Sequence, residues 1–234
     1  RAGVWLEVGR ADQALACLDA VDPAAVDPVD AAEVGYLRGQ TLLASGRLAE
    51  AELALTGARA GFVRANRRRS IAGCDNLLAD LARSTGDLAT AEDRYRAALT
   101  VYEPLWGSDA AVVGANLGLV LLARGQVEAA DAAFSRAAIV VHRLGWRVME
   151  TSLLAARAAC AAANADWPAF DTLLAAAAAP LDHVPIADPE VVALMERAAA
   201  AARAAGEGDR AVRAESLAAV HRDRLRGGTT RDNG

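Results

Sequence analysis

One turn-forming position recurs along this chain, occupied in order by Gly9, Gly46, Gly86, Gly125, Asn164 and Gly206. A recurrence of roughly 40 residues means one supersecondary unit copied in tandem, each copy burying its apolar face only against the next. Three columns follow each turn. Five positions on stands Ala14, Ala51, Ala91, Ala130, Ala169 or Ala211; nine on, Leu18, Leu55, Tyr95, Phe134 or Leu173, with Glu215 the exception; twelve on, Val21, Ala58, Ala98, Ala137, Ala176 or Ala218. Steps of three and four place all three columns on one face of a helix. Two further columns precede the turn. Four positions before it come Trp5, Leu42, Ala82, Leu121, Cys160 and Ala202; seven before it, Ala2, Gly39, Ala79, Gly118, Arg157 and Ala199. Each copy therefore reads as helix A, a turn closed by Gly or Asn in the left-handed region, and helix B. Small residues in the columns let the two helices approach, and the large apolar column fills the space between copies.

Composition agrees. Hydrophobic residues make up 54% of the chain but aromatics only 4%, so Ala, Leu and Val carry the apolar share. Ala and Leu are strong helix formers, and no run alternates as a strand would. The class is all-α. Every basic residue is Arg, and there is no Lys, which excludes a P-loop and a protein kinase fold within this chain. With 25 basic against 30 acidic residues, a nucleic-acid surface is not expected. The cluster Arg67, Arg68, Arg69 reads as a solvated helix face. Cys17, Cys74 and Cys160 are isolated, without metal or disulfide spacing, as in a reducing, cytoplasmic setting. The uncharged run from Ala110 to Ala123 is too short to span a bilayer. No signal peptide opens the chain, which begins at Arg1 and reads as part of a larger protein.

No catalytic constellation, metal site or cofactor site emerges. His142, His183 and His221 share no ligand spacing with each other or with Cys. Glu92 and Asp93 stand near the start of a B helix, where its dipole accounts for them. Trp5, Trp106, Trp146 and Trp167 fall at hairpin ends. The chain is not expected to be an enzyme.

The segment Ala115-Asn-Leu-Gly-Leu-Val-Leu-Leu-Ala-Arg-Gly125, followed by Ala130, Phe134 and Ala137, resembles tetratricopeptide (TPR) repeats, with their Leu-Gly pair, turn Gly, Ala, aromatic and Ala in order. The period exceeds that family's usual repeat of about 34 residues, and longer helices would account for it. A HEAT-like array shares the longer period but not the Gly-to-Ala-to-aromatic order. The resemblance implies a right-handed α-α superhelical solenoid of about six hairpins, over 1–23, 31–64, 70–104, 109–144, 147–179 and 189–225, with a disordered tail at 226–234. Pro-containing breaks separate hairpins one and two, three and four, and five and six. Elements such as Gly145-Trp146-Arg147 and the run from Asp166 through Trp167 and Phe170 to Asp171 are similar to C-terminal arrays of large bacterial signalling proteins, either serine/threonine kinases with an ATPase module or ATPase-type transcriptional regulators.

The implied function is a protein- or peptide-binding scaffold in which helix A of each repeat lines a concave surface. Outward positions there are Tyr36, Gln40, Asn76, Asp80, Arg83, Asn116 and Leu119. The partner would be a separate protein or peptide, or cis-acting domains of the parent chain. The alternative is self-association or a structural scaffold, because hairpins four and five carry Leu119, Leu122, Leu153 and Leu154 in their A helices.

Overall fold

The computed structural model describes residues 11–22, 25–105, 107–179 and 187–229, with side chains to 226. Among these residues all regular structure is helical. The chain divides into two compact units, Arg1–Gly107 and Ser108–Gly234. Unit one contains α1 (Ala11–Asp19), α2 (Pro28–Ala44), α3 (Leu48–Arg64), α4 (Arg68–Ser84), α5 (Leu88–Tyr102) and a 3-10 turn (Glu103–Leu105). Unit two contains α6 (Ser108–Ala123), α7 (Val127–Leu144), α8 (Arg147–Ala163), α9 (Trp167–Ala178), α10 (Pro189–Ala204) and α11 (Gly208–Thr229). The hairpins are α2–α3 and α4–α5 in the first unit, and α6–α7, α8–α9 and α10–α11 in the second. Within each unit a B helix also packs on the A helix that follows, as α3 on α4 and α7 on α8. The helix A expected for the first hairpin, with Gly9, Trp5 and Ala2, falls outside the described residues, as do Trp106 and the segment 180–186 with His183.

One turn chemistry recurs throughout. At Gly46 the amide bonds to the Leu43 carbonyl and the next amide, of Arg47, reaches back to Leu42. This paired 5→2 and 6→1 closure is the Schellman motif, which requires a left-handed residue; Gly46 has φ +72°. The same two bonds close the turns at Asn66, Gly86, Gly125, Gly145, Ala165 and Gly206. Asn66 and Gly145 are connections from helix B to the next helix A. The second and fourth copies therefore each divide into two similar helix-and-turn halves, which the Gly columns alone conceal. The helices α3 and α4 have 17 residues each, and Ala65, Asn66 and Arg67 make the turn between them. Long helices thus supply the excess over the shorter TPR period.

The close approach inside a hairpin is concrete. A Cβ at Gly39 would lie 2.5 Å from the Leu55 side chain, and one at Gly118 would lie 2.4 Å from the Phe134 ring. The glycine seven positions before the turn is thus the socket for the large residue nine after it. Leu55, Tyr95 and Phe134 are all buried, each worth roughly 1.5–3 kcal/mol in area removed from water.

The fifth copy departs from the expected register. Asn164 is not the left-handed residue; it closes α8 with φ −93°, and Ala165 takes φ +54°. Counted from Ala165, the columns become Ala158, Ala161, Phe170, Leu174 and Ala177, all buried. Leu173 is only half-buried and Ala176 is exposed. Arg157, misplaced in a core column by the Asn count, instead pairs with Asp131 on α7 at 2.9 Å. Asn favours turns, so the sequence points to Asn164, but the left-handed residue is Ala165 and a bulky Phe170 stands where the other copies have Ala. α11 also continues to Thr229, into the segment expected as a tail, and residues 230–234 lie outside those described.

Candidate functional site

In unit one, the A helices α2 and α4 hold Tyr36, Gln40, Asn76, Asp80 and Arg83, all half-buried. Tyr36 packs against the cluster of Ala32, Ala58, Phe62 and Cys74 and against Leu55, Leu77 and Leu78. Asp80 accepts a hydrogen bond from the buried Tyr95 hydroxyl on α5. Burial raises its pKa above the ordinary carboxylate value, opposed by that bond and by the Arg83 charge. The Tyr95 hydroxyl is held protonated, chiefly by burial and then by the facing Asp80 carboxylate. Asp80, Arg83 and Tyr95 thus form an internal network. Asn76 presents a buried Oδ1 without a hydrogen-bond partner.

A stronger ionic feature of this unit escaped sequence reasoning. Asp75, buried in α4, is gripped by both Arg59 of α3, at 2.8 and 3.2 Å, and Arg94 of α5, at 3.1 Å. One carboxylate therefore ties three helices. The available signal was a lone acid inside the apolar run from Ile71 to Leu78. Glu92 is likewise buried, paired with Arg96, rather than a solvated dipole partner. The cluster Arg67–Arg69 is exposed, as expected. Burial pushes the thiols of Cys74 and Cys160 up to about 12, so neither is a ready nucleophile.

In unit two the A helices α6, α8 and α10 border a cleft of about 500 Å³. Asn116 and Leu119 come from α6. Phe134 of α7 forms part of the floor, its ring already seated on Gly118. Met149, Leu153 and Ala156 come from α8, and Leu194 from α10. Trp146 stands at the Gly145 turn, where it begins α8 without a side-chain capping bond; it is 40% exposed. Its outward neighbours Leu144 and Val148 are also exposed. The lining is overwhelmingly apolar. The polar groups are Asn116, Arg147, Ser152, Asp188 and Glu190.

Two polar contacts shape this cleft. Arg197 of α10 donates to the Leu122 carbonyl near the end of α6, at 2.9 Å. That bond lies about one turn beyond Leu119 and Leu194 and ties α10 to α6. At the other side, Asp188 begins α10 by accepting from the Glu190 amide, and its second oxygen receives the Ser152 hydroxyl of α8. The Asp188 amide donates to Nδ1 of the fully buried His221 at 3.2 Å. The imidazole is thereby neutral with its proton on Nε2, and burial lowers its pKa. The Asp188 charge opposes that shift.

Trp167 packs edge-on against Phe170 and lies beneath the Arg210 guanidinium at 5.6 Å. Arg210 is also held by Asp171 and Glu207, so this cluster ties α9 to α11. Among the described residues no group of His, Cys, Asp and Glu could hold a metal. No described helix is long and apolar enough to cross a membrane.

The chain's sequence matches no family model and no curated protein. Solved structures do match. The chain is similar to BtubC (BKLC) from P. vanneervenii, with 19% identity over 86% of this chain and 83% of that one, at TM-score 0.65. It is similar to the nearly identical TPR-like repeats of a putative kinesin light chain from Podosopora anserina, with 16% identity over 86% and 99% of the two chains, at TM-score 0.65. It is also similar to a Rap protein solved in complex with Competence and Sporulation Factor, with 12% identity over 94% and 70%, at TM-score 0.65. At such identities the likeness is one of architecture, and the architecture is an all-α helical solenoid built from TPR-like hairpins.

Proposed function

We propose that the chain is a protein- or peptide-binding scaffold and that the cleft on α6, α8 and α10 is its contact surface. The observation that carries this reading is the cleft itself: about 500 Å³, bordered by three A helices, apolar, and edged by a few polar groups. That is the size and chemistry of a ligand site, and an apolar surface left open to water commonly marks an interface. Asn116 stands at the wall, and Leu119 and Trp146 offer apolar anchors. The Rap neighbour, solved with a bound factor, supports the same use of the fold.

The parent protein is a larger bacterial signalling protein, in which this array biases an attached kinase or ATPase between two states through differential binding. Kinase or nucleotide-binding motifs upstream in the full reading frame would support this; an unrelated short N-terminus would remove it.

Selection of a displayed library of random peptides tests the binding surface. Sequences enriched on the wild type should fail on Leu119→Glu, which puts a charge in the cleft, and should persist on Asn76→Glu in unit one. Enrichment indifferent to Leu119 would move the site elsewhere. A second reading, self-association, is favoured by exposed Leu144 and Val148 beside Trp146. Sedimentation that stays monomeric at high concentration counts against it.

A further inference from the structure

Hairpin six docks on hairpin five by a different face from the other copies. Elsewhere a B helix carries the next A helix, as α3 carries α4 and α7 carries α8. Among the described residues α10 packs instead on α8, the A helix of hairpin five, and is not packed on α9, its B helix. The outward face of α8 differs to match. Ten, six and three positions before the left-handed residue stand Tyr36, Gln40 and Leu43 on α2, and Asn76, Asp80 and Arg83 on α4, all half-buried. On α8 the same positions are Ala155, Ala159 and Ala162, all buried. Side chains that short let a helix lie close across them.

Two ties hold α10 in this seat. Arg197 donates to the Leu122 carbonyl at 2.9 Å, at the C-terminal end of α6, where the helix dipole favours a cation. The Ser152 hydroxyl of α8 donates to Asp188. The other half of the hairpin, α11, has its own tie to α9, because Arg210 and Arg213 both grip Asp171. Yet the seat is incompletely filled: Leu119, Trp146 and Met149 still border open volume beside Leu194.

From this arrangement we propose that the A face of α6 and α8 is a helix-binding surface, occupied in this structure by α10, and that the partner presents an α-helix of the same kind that takes α10's place. The resident defines that kind. It buries Val191, Leu194, Met195, Ala198 and Ala202 and carries an exposed arginine for the end of α6. The partner segment is therefore helical, apolar and alanine-rich on one face, rather than extended. A surface covered by its own chain is open only for the fraction of time that the cover is off, and apparent affinity falls by that fraction. How firmly α10 is held thus sets how well the partner binds. This inference rests on the cleft and its walls being the contact surface.

The probe is a blocked, fluorescent synthetic peptide of residues 187–205, which includes the Asp188 cap and Pro189 start of α10. Binding to the full chain is read by anisotropy. Arg197→Ala in the chain removes one tie of the resident and leaves the arginine of the peptide intact. That variant should bind the peptide about tenfold tighter than the wild type does, the low end for a hydrogen bond to a charged group. A peptide with Arg197→Ala should lose about the same factor, and one with Leu194→Glu and Met195→Glu should not bind. Hydrogen exchange read by mass, which separates chain from peptide at position 197, should show the resident helix losing protection in the complex. Equal affinity of the two chains, or a resident helix still protected with peptide bound, would overturn the exchange. If Leu119→Glu abolished that binding all the same, the cleft would remain the contact surface. Binding to neither chain would overturn this inference, while the random-peptide selection decides the cleft reading separately.

Discussion

The two units use the same turn and similar helices but place polar residues differently. In unit one the A helices turn charge inward: Asp75 is shared by Arg59 and Arg94, and Asp80 meets Tyr95 and Arg83. In unit two the A helices leave an apolar cleft between them and keep charge at its rim. An A face whose carboxylates are already paired internally offers a partner little. An A face with unfilled apolar volume gains by being covered. The difference favours unit two as the binding surface.

The contrast can be broken most sharply at Phe134, which is both core and cleft floor. Phe134→Ala should cost about 3–5 kcal/mol, the range for emptying a buried aromatic site, and should enlarge the cleft. Urea unfolding measures the first and binding the second. A loss below about 1 kcal/mol would mean that the Gly118 socket collapses to fill the space.

Unit one should respond to charge instead. Asp75→Asn should destabilise by about 1–2 kcal/mol, less than for a fully buried pair because both arginines are partly exposed and can recover water. Equal stability of the variant and the wild type in denaturant would show that the three-helix tie contributes nothing.

The pH response should come from unit two. His221 has a lowered pKa in the fold and the ordinary 6.5 when unfolded. Above about pH 6.5 the ring is neutral in both states and its contribution is intact. As pH falls below that value the unfolded chain takes up a proton that the fold resists, so stability declines until the folded ring also titrates. Melting at about pH 7.5 and about pH 5.5 should show a drop that His221→Gln reduces. An identical drop in the variant would assign it to other groups.

The smallest effect tests the register of the fifth copy. Ala165 sits at φ +54°, where a Cβ costs about 1–2 kcal/mol. Ala165→Gly should recover part of that, about 1 kcal/mol, whereas Asn164→Gly should not. A gain at Asn164 and none at Ala165 would restore the earlier register.

The helical class, the hairpin period and the columns of small and large residues were legible because they repeat; that Leu55 and Phe134 seat on the glycine of their own hairpin, rather than between copies, was not. A column such as Leu55, Tyr95 and Phe134 averages over copies, and spacing alone defines its face. The division of the second and fourth copies into two halves was hidden because Asn66 and Gly145 are different residues serving one turn. Ala165 was hidden because nothing in its side chain announces a left-handed backbone. Asn116 and Leu119 were legible as outward positions of an A helix, but the cleft they border was not.

What the chain alone determined is therefore local and periodic: helix content, turn chemistry, and which residues share a helix face, since these depend on neighbours close in sequence. Tertiary structure decided which outward positions are covered and which stay open. Asp75 of α4 is drawn to Arg59 on α3 of the preceding hairpin, and Arg197 of α10 reaches back to Leu122 of α6. Contacts at such separations depend on how one hairpin leans on the next, and a small change in that lean separates a filled interface from a cleft.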